Sequence, residues 1–408
     1  WARFAALGWH IVCIFVLGGL GLARRITGDL VLVDELIAAA PAFALLLWSY
    51  RALYPIEKRI RAASLMRDLD EGRPVYAFPS RRRYVLSIAR NNLSIMALPL
   101  VLILGWAELL DRAVLRLDIP PTDSAALIVP GVQLAGALAI FALVPPLMVR
   151  VWDTVRIPPG ELRDGLEDLA RAHRVRVRDF LVWRTGGMML NAAVIGLIPR
   201  LRYIVLTDAL LDHLPEREVE AVAAHEVAHV RHHHMVWLAV SVLAAAMLLG
   251  GAVSAGSRSA GLGVSAETWI GGGVILAGVL LTLGVVSRRF EWQADAFAAR
   301  HLSRPGTVIT EQAASAMSDA LARVSGLNGI PESKFTWRHG SIAARRRRLD
   351  ALVGAPAGRL GIDRQVRLIR VLAAAGFLAG LVLTVGGSVD KTPASDVTPH
   401  RPIPYAER

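Results

Sequence analysis

The sequence predicts a mainly α-helical, polytopic membrane protein of about seven spans, with a compact domain on one membrane face that carries a small β-sheet. Three observations predict it. Of 408 residues, 54% are hydrophobic and only 20% charged, an apolar surplus that a water-soluble chain of this size has no place to bury. The surplus is gathered into seven runs close to the roughly 20 residues a helix needs to cross a bilayer. Basic residues alternate between the connecting segments: thirty-seven Lys and Arg fall in 51–92, 150–234 and 288–370, against five in the three other loops. By the positive-inside rule the three rich segments are cytoplasmic. Topology therefore accounts for the net charge of +12, and the run Arg345 to Arg348 argues for no nucleic-acid partner.

The spans are expected near 4–23, 30–50, 93–110, 125–149, 235–253, 268–287 and 368–386. The first has a signal anchor or a signal peptide as its alternative; without a clear small-residue cleavage site it reads as a retained span. In the second, Asp34 and Glu35 interrupt the start and Pro41 would kink the helix. The fourth holds Pro130, Pro145 and Pro146, which membrane helices tolerate when neighbours satisfy the freed backbone groups. Residues 1–150 thus read as an N-terminal membrane region with four spans and a basic cytoplasmic loop at 51–92. Residues 151–370 read as the cytoplasmic domain, interrupted by a two-span hairpin at 235–287. A last span at 368–386 and a flexible, proline-rich tail at 387–408 complete the chain. Within the domain, Tyr203 to Leu206 alternate poorly but are β-prone, which suggests a small sheet.

The chemistry is concentrated in DHLPEREVEAVAAHEVAHVRHHH, residues 212–234. Pro215 followed by Glu216, Glu218 and Glu220 opens a helix. On it His225 and His229, four residues apart, project from one face at the separation two imidazoles need to bind one zinc ion. Glu226 stands beside the first histidine, where it can reach a water at the metal: this is HExxH, a metalloprotease pattern. The single cysteine, Cys13, excludes a thiolate-rich metal site, so any metal is held by His and carboxylate, and the usual third ligand is a carboxylate from a second helix. SRRFEWQADAFAAR, residues 287–300, offers Glu291, with Asp295 one turn later. The hairpin between 229 and 291 returns the chain to the same membrane surface. Glu291 is therefore expected as the third ligand. Asp295 is expected to accept from the distal N–H of a ligand imidazole, with an i, i+4 salt bridge or a solvated position as its alternative. His232, His233 and His234 read as a solvated or metal-scavenging tract.

HEVAH, a hydrophobic hairpin and FEWQADAFA together resemble the membrane zinc endopeptidases that include the type I CAAX prenyl endopeptidase and the HtpX-type quality-control protease. NAAVIGLIPRLRYIVLTDALLDHL (191–214) and HGSIAAR (339–345) are similar to motifs of that family. The family commonly has Pro where this chain has Gly340. The resemblance runs from Asn191 to Leu349. It implies that Asn191 and Ala192 belong to a substrate-aligning strand, and that His339 and Arg345 lie near the scissile carbonyl, where a donor stabilises the oxyanion. Taken alone, Asn191 and Ala192 would also suit a loop, His339 is a lone loop histidine and Arg345 is one of a basic run.

The expected function is a zinc-dependent integral-membrane endopeptidase with one Zn2+ per chain. It would hydrolyse protein or peptide substrates at the cytoplasmic face, in quality control or regulated proteolysis. CAAX-type processing of lipidated peptides is the alternative within the family. A scaffold or transporter-like protein with a vestigial metal site is the alternative from another class. Arginine-heavy basic usage suggests a bacterial inner membrane. The partners expected are substrate and lipid bilayer.

Overall fold

The computed structural model describes residues 2–28, 30–70, 72, 75–118, 123–261 and 267–389. The tail expected at 387–408 therefore lies almost wholly outside the described residues. Helices α1 (Ala2–Ile11) and α2 (Gly19–Thr27) form a pair bent by 64° near Gly18, whose left-handed backbone (φ 62°) breaks the rod. Next come α3 (Val33–Asp70), α4 (Arg81–Ile88) and α5 (Ser94–Arg116); a π-helical turn at Ala89–Leu93 joins the last two into one rod. Helices α6 (Asp123–Leu143) and α7 (Pro145–Val151) meet at a 47° bend, where Pro145 and Pro146 supply no backbone donors. Then follow β1 (Thr154–Arg156), α8 (Glu161–Ala172), β2 (Asp179–Trp183), β3 (Ala192–Ile195), β4 (Tyr203–Thr207) and α9 (Asp208–His213). The remaining helices are α10 (Glu216–Arg231), α11 (His234–Ala260), α12 (Gly272–Leu302), α13 (Glu311–Leu327), α14 (Ile342–Asp350) and α15 (Gly361–Val389).

Five helical stretches are long and apolar enough to cross a membrane: Val33–Ala63, Arg81–Arg116, His234–Ser257, Thr268–Leu302 and Gly361–Leu383. The two bent pairs stand at the first and fourth expected positions. The basic segment expected as a loop at 51–92 is largely helical. Residues 51–70 are rich in Arg, Ala and Leu, good helix formers that extend α3 beyond its apolar run.

The sheet has strand order β1-β2-β4-β3. β2 and β4 run parallel, and the edge strands β1 and β3 run antiparallel to their neighbours. Tyr203 to Thr207 are all buried, which explains why β4 alternates poorly. One of its faces packs Ile204 and Leu206 against the main core of α8, α10, α12 and α13. The other packs Tyr203 and Val205 against Met148, Val149 and Trp152 at the end of α7. A strand buried on both faces needs apolar residues at every position.

Alanines set the depth of the core. Ala221, Ala224 and Ala228 of α10 and Ala294 and Ala298 of α12 are wholly buried, and their small side chains allow a close approach of the two helices. A bidentate contact from Arg323 to Glu218, both bonds 2.9 Å, ties α13 to the first turn of α10. Helix α12 continues unbroken from its apolar start at Gly272 to Leu302. One rod therefore carries the chain along an apolar stretch and delivers Glu291 and Asp295 to α10.

Candidate metal centre

His225 and His229 lie one turn apart on α10 and turn their Nε2 atoms toward each other, 3.2 Å apart. Glu291 of α12 faces both, with Oε2 3.7 Å from His225 Nε2 and Oε1 3.8 Å from His229 Nε2. Ligand atoms at zinc bond lengths of about 2.0–2.1 Å stand about 3.3 Å apart in a tetrahedral shell. The three observed separations bracket that edge, so the residues fit a single ion. Among the described residues the only other candidate group is Asp34, Glu35 and Glu108, three carboxylates on α3 and α5. Of the two groups, only the first contains imidazoles.

Buried charge surrounds the three groups. Asp295 Oδ1 approaches His225 Nδ1 at 2.9 Å, a charge contact whose angle is not that of an aligned hydrogen bond. Asp295 is held in turn by Arg345 of α14, whose Nε and Nη2 donate at 2.8 and 2.6 Å. Arg345 Nη1 also lies 3.3 Å from Glu291 Oε2. Its fork is thus taken up by two carboxylates, and burial of a guanidinium is offset by both. His339 stands at the rim, 49% exposed, with Nδ1 3.1 Å from Glu291 Oε1.

The loop holding His339 departs from the family pattern at Gly340, and the backbone gives the reason. Gly340 has φ 77°, its N–H donates to the Thr336 carbonyl at 2.8 Å, and Thr336 Oγ1 donates back to its carbonyl. Proline fits neither the left-handed φ nor the donor role. Arg288 of α12 fastens the same loop by donating to the Trp337 carbonyl at 2.7 Å.

Glu226 is half-buried between α10 and β3, its Oε2 accepting from the Val194 N–H at 3.2 Å. Burial pushes its carboxyl up to about 7. Burial likewise holds the His229 imidazole down to about 3, in the neutral form a metal requires. β3 is an edge strand, and its register separates the two residues expected to align substrate. Asn191 turns its backbone inward, its carbonyl accepting from Thr207 N–H at 3.0 Å and its N–H donating to Thr207 Oγ1. Ala192, one residue on, directs its backbone groups to the open edge; Val194 faces the same way, its N–H taken by Glu226.

Sequence reasoning missed the support of His229. His234, read as part of a solvated tract, is 2% exposed; His233 does suit that reading, being exposed. α10 ends at Arg231, and His233 takes a left-handed φ of 54°, so His234 starts α11 and folds back under the ligand. Its Nδ1 meets His229 Nδ1 at 3.0 Å, and its Nε2 meets Gln293 Oε1 at 2.9 Å. Gln293 Nε2 then donates to Asp363 Oδ1 of α15 at 2.7 Å, and Arg300 Nη2 donates to Asp363 Oδ2 at 2.7 Å. The i, i+5 offset of His234 carries no signal while the helix is imagined as continuous.

Known proteins are similar to part of this chain. The profile of "Peptidase family M48" matches residues 158–353. A CAAX prenyl protease 1 homolog of Arabidopsis thaliana is 29% identical over 180 residues, 40% of this chain and 42% of that protein. A protease HtpX homolog of Nostoc sp. is 30% identical over 169 residues, 37% of this chain and 54% of the relative. The chain thus spans about half the length of the curated relatives it matches. The crystal structure of S. mikatae Ste24p aligns with a TM-score of 0.46 at 16% identity, covering 83% of this chain and 98% of that one. Both imidazoles, Glu226, Glu291, Asp295, His339 and Arg345 fall inside the matched segment, and the chain therefore carries, among helices apolar enough to span a membrane, a peptidase family M48 domain.

Proposed function

We propose that the chain is a zinc-dependent endopeptidase that cleaves membrane or membrane-associated proteins at the surface of the bilayer. The observation that carries this reading is the convergence of His225, His229 and Glu291, each offering one ligand atom within 4.8 Å of the others. These three residues would hold one zinc ion per chain. When bound, zinc supplies a Lewis acid that lowers the pKa of water and polarises a carbonyl.

The remaining steps belong to the chain. Glu226, with its raised pKa, is matched to accept a proton from the attacking water and to return it to the leaving amine. The open edge of β3 at Ala192 would pair with an extended substrate, aligned through its backbone. His339, its Nδ1–H donating to Glu291, would give Nε2–H to the oxyanion in its doubly protonated form. Arg345 acts differently: committed to Asp295 and Glu291, it positions the carboxylates. On the side of His229, protonation runs in one direction. His229 Nδ1–H donates to His234 Nδ1, His234 Nε2–H to Gln293 Oε1, and Gln293 Nε2–H to Asp363, which leaves His229 Nε2 as a lone-pair ligand.

Charge asymmetry supports an active site on the cytoplasmic side, since the segments that carry it hold most of the basic residues. Arginine-rich usage supports a bacterial inner membrane, where quality-control or regulatory proteolysis is favoured over CAAX processing. A vestigial site would lack a ligand or the base, and here both are in position. The decisive experiment measures zinc content of the purified full chain together with casein hydrolysis. We expect about one zinc per chain and hydrolysis abolished by phenanthroline; a metal-free or inert wild-type protein would overturn the proposal.

A further inference from the structure

At the edge of the sheet opposite β3, a cleft of about 490 Å3 opens among β1, the end of α7 and the rod formed by α4 and α5. Four arginines line it: Arg90, Arg150, Arg156 and Arg178. Two carboxylates line it as well, Asp153 and Asp179, but both are met from outside. Arg184 pairs with Asp153 at 2.5 Å, and Arg163 with Asp179 at 3.1 Å. Of the four lining arginines, Arg156 joins Asp179 at 2.8 Å and Arg178 lies 5.9 Å from the centre of the Tyr203 ring. Arg90 and Arg150 are exposed and have no carboxylate partner among the described residues. The cleft thus holds positive charge that the protein leaves uncompensated.

Its position gives that charge a direction. Arg90 stands where the rod Arg81–Arg116 passes from charged to apolar sequence, and Arg150 stands in the last turn of α7, where another apolar run ends. Both stand where charged sequence gives way to a run apolar enough to cross a bilayer. Trp152, buried, stacked on Trp183 at 4.0 Å and donating Nε1 to Ser94 Oγ at 2.9 Å, ties the cleft wall to the rod. Below this level the helices expose Met96, Leu100 and Leu143, an apolar path for acyl chains. Topology asks only for positive charge on this face. It does not ask for four guanidinium groups around one hollow.

We propose that this cleft binds the phosphate of an anionic phospholipid from the adjacent leaflet, with Arg90 and Arg150 as its forked donors. The lipid source follows from the two arginines standing at helix ends beside exposed apolar surface. The site is separate from the metal centre and does not depend on its activity.

The test uses the full chain, delipidated in neutral detergent and offered equal phosphatidylglycerol and phosphatidylcholine, with retained lipid read by native mass spectrometry. The wild type is expected to retain phosphatidylglycerol preferentially. At roughly a fivefold loss per arginine, Arg150→Gln should weaken retention about fivefold and the Arg90→Gln/Arg150→Gln pair about twenty-five-fold. Arg82→Gln/Arg83→Gln, on the same basic face but outside the cleft, should match the wild type. Unchanged thermal unfolding would show that the variants fold, and the single variant gives the same readout if the pair does not. Equal retention by wild type and Arg150→Gln would overturn the site. Displacement of retained lipid by inorganic phosphate, or phosphate binding without a lipid preference, would overturn the lipid assignment.

Discussion

His225 and His229 share one helix face and one ligand set, yet they are steadied by different parts of the molecule. His225 is met directly by Asp295, which Arg345 clamps from α14, all within the segment that matches family M48. His229 is reached through His234, Gln293 and Asp363, which lie on α11, α12 and α15. α11 and α15 are long apolar helices; α11 lies within the matched residues, whereas Asp363 of α15 lies beyond them. One support is therefore a short, charged clamp. The other is a longer, mostly neutral chain that ties the metal centre to the membrane helices. The difference teaches that a ligand's second nitrogen can be anchored wherever a buried acceptor is available, and that the C-terminal helix contributes to the centre without touching it.

The contrast can be sharpened from a variant that disturbs neither support. Glu226→Gln should keep wild-type zinc content and lose about 10²–10⁴-fold of casein hydrolysis; wild-type cleavage would remove Glu226 from the chemistry. Asp295→Ala should break the clamp and leave Arg345 buried without its main partner, costing about 3–5 kcal/mol of stability. Thermal unfolding of the metal-free protein would read this loss. His234→Ala should act on the other side, weakening zinc about 10–100-fold in competition with a chelator. Because it leaves Gln293 Oε1 unpaired but strands no charge, the metal-free protein should lose about 1–3 kcal/mol, and a loss as large as that of Asp295→Ala would erase the distinction. Asp363→Asn, two bonds farther from the metal, should weaken zinc less than His234→Ala does. An effect equal to His234→Ala would mean that the chain acts as one rigid unit.

Much of this arrangement is legible along the chain. The i, i+4 histidines, the adjoining glutamate and a carboxylate beyond one membrane hairpin are local patterns, and the geometry brings those residues together. All seven apolar runs correspond to helices or bent helical pairs, because hydropathy is a property of sequence windows. β4 was harder to read, since burial on two faces removes the alternation that marks a strand. The helical extension of α3 to Asp70 was hidden by its charge, which suits a solvated helix as well as a loop. His234 was hidden by a helix break at His233 that no residue pattern announces.

Composition and spacing alone point to a multi-helix membrane chain and to two histidines and a carboxylate as one candidate group, because helix periodicity and bilayer thickness are short-range rules that each segment obeys by itself. Only the folded chain decides that Arg345 is spent on Asp295 and Glu291, that Ala192 and not Asn191 offers its backbone to the open edge, and that α15 reaches the metal centre through Asp363. Those assignments depend on which buried polar groups find partners. In a low-dielectric interior each charge must be matched by groups distant in sequence, and that matching exists only once the helices have packed.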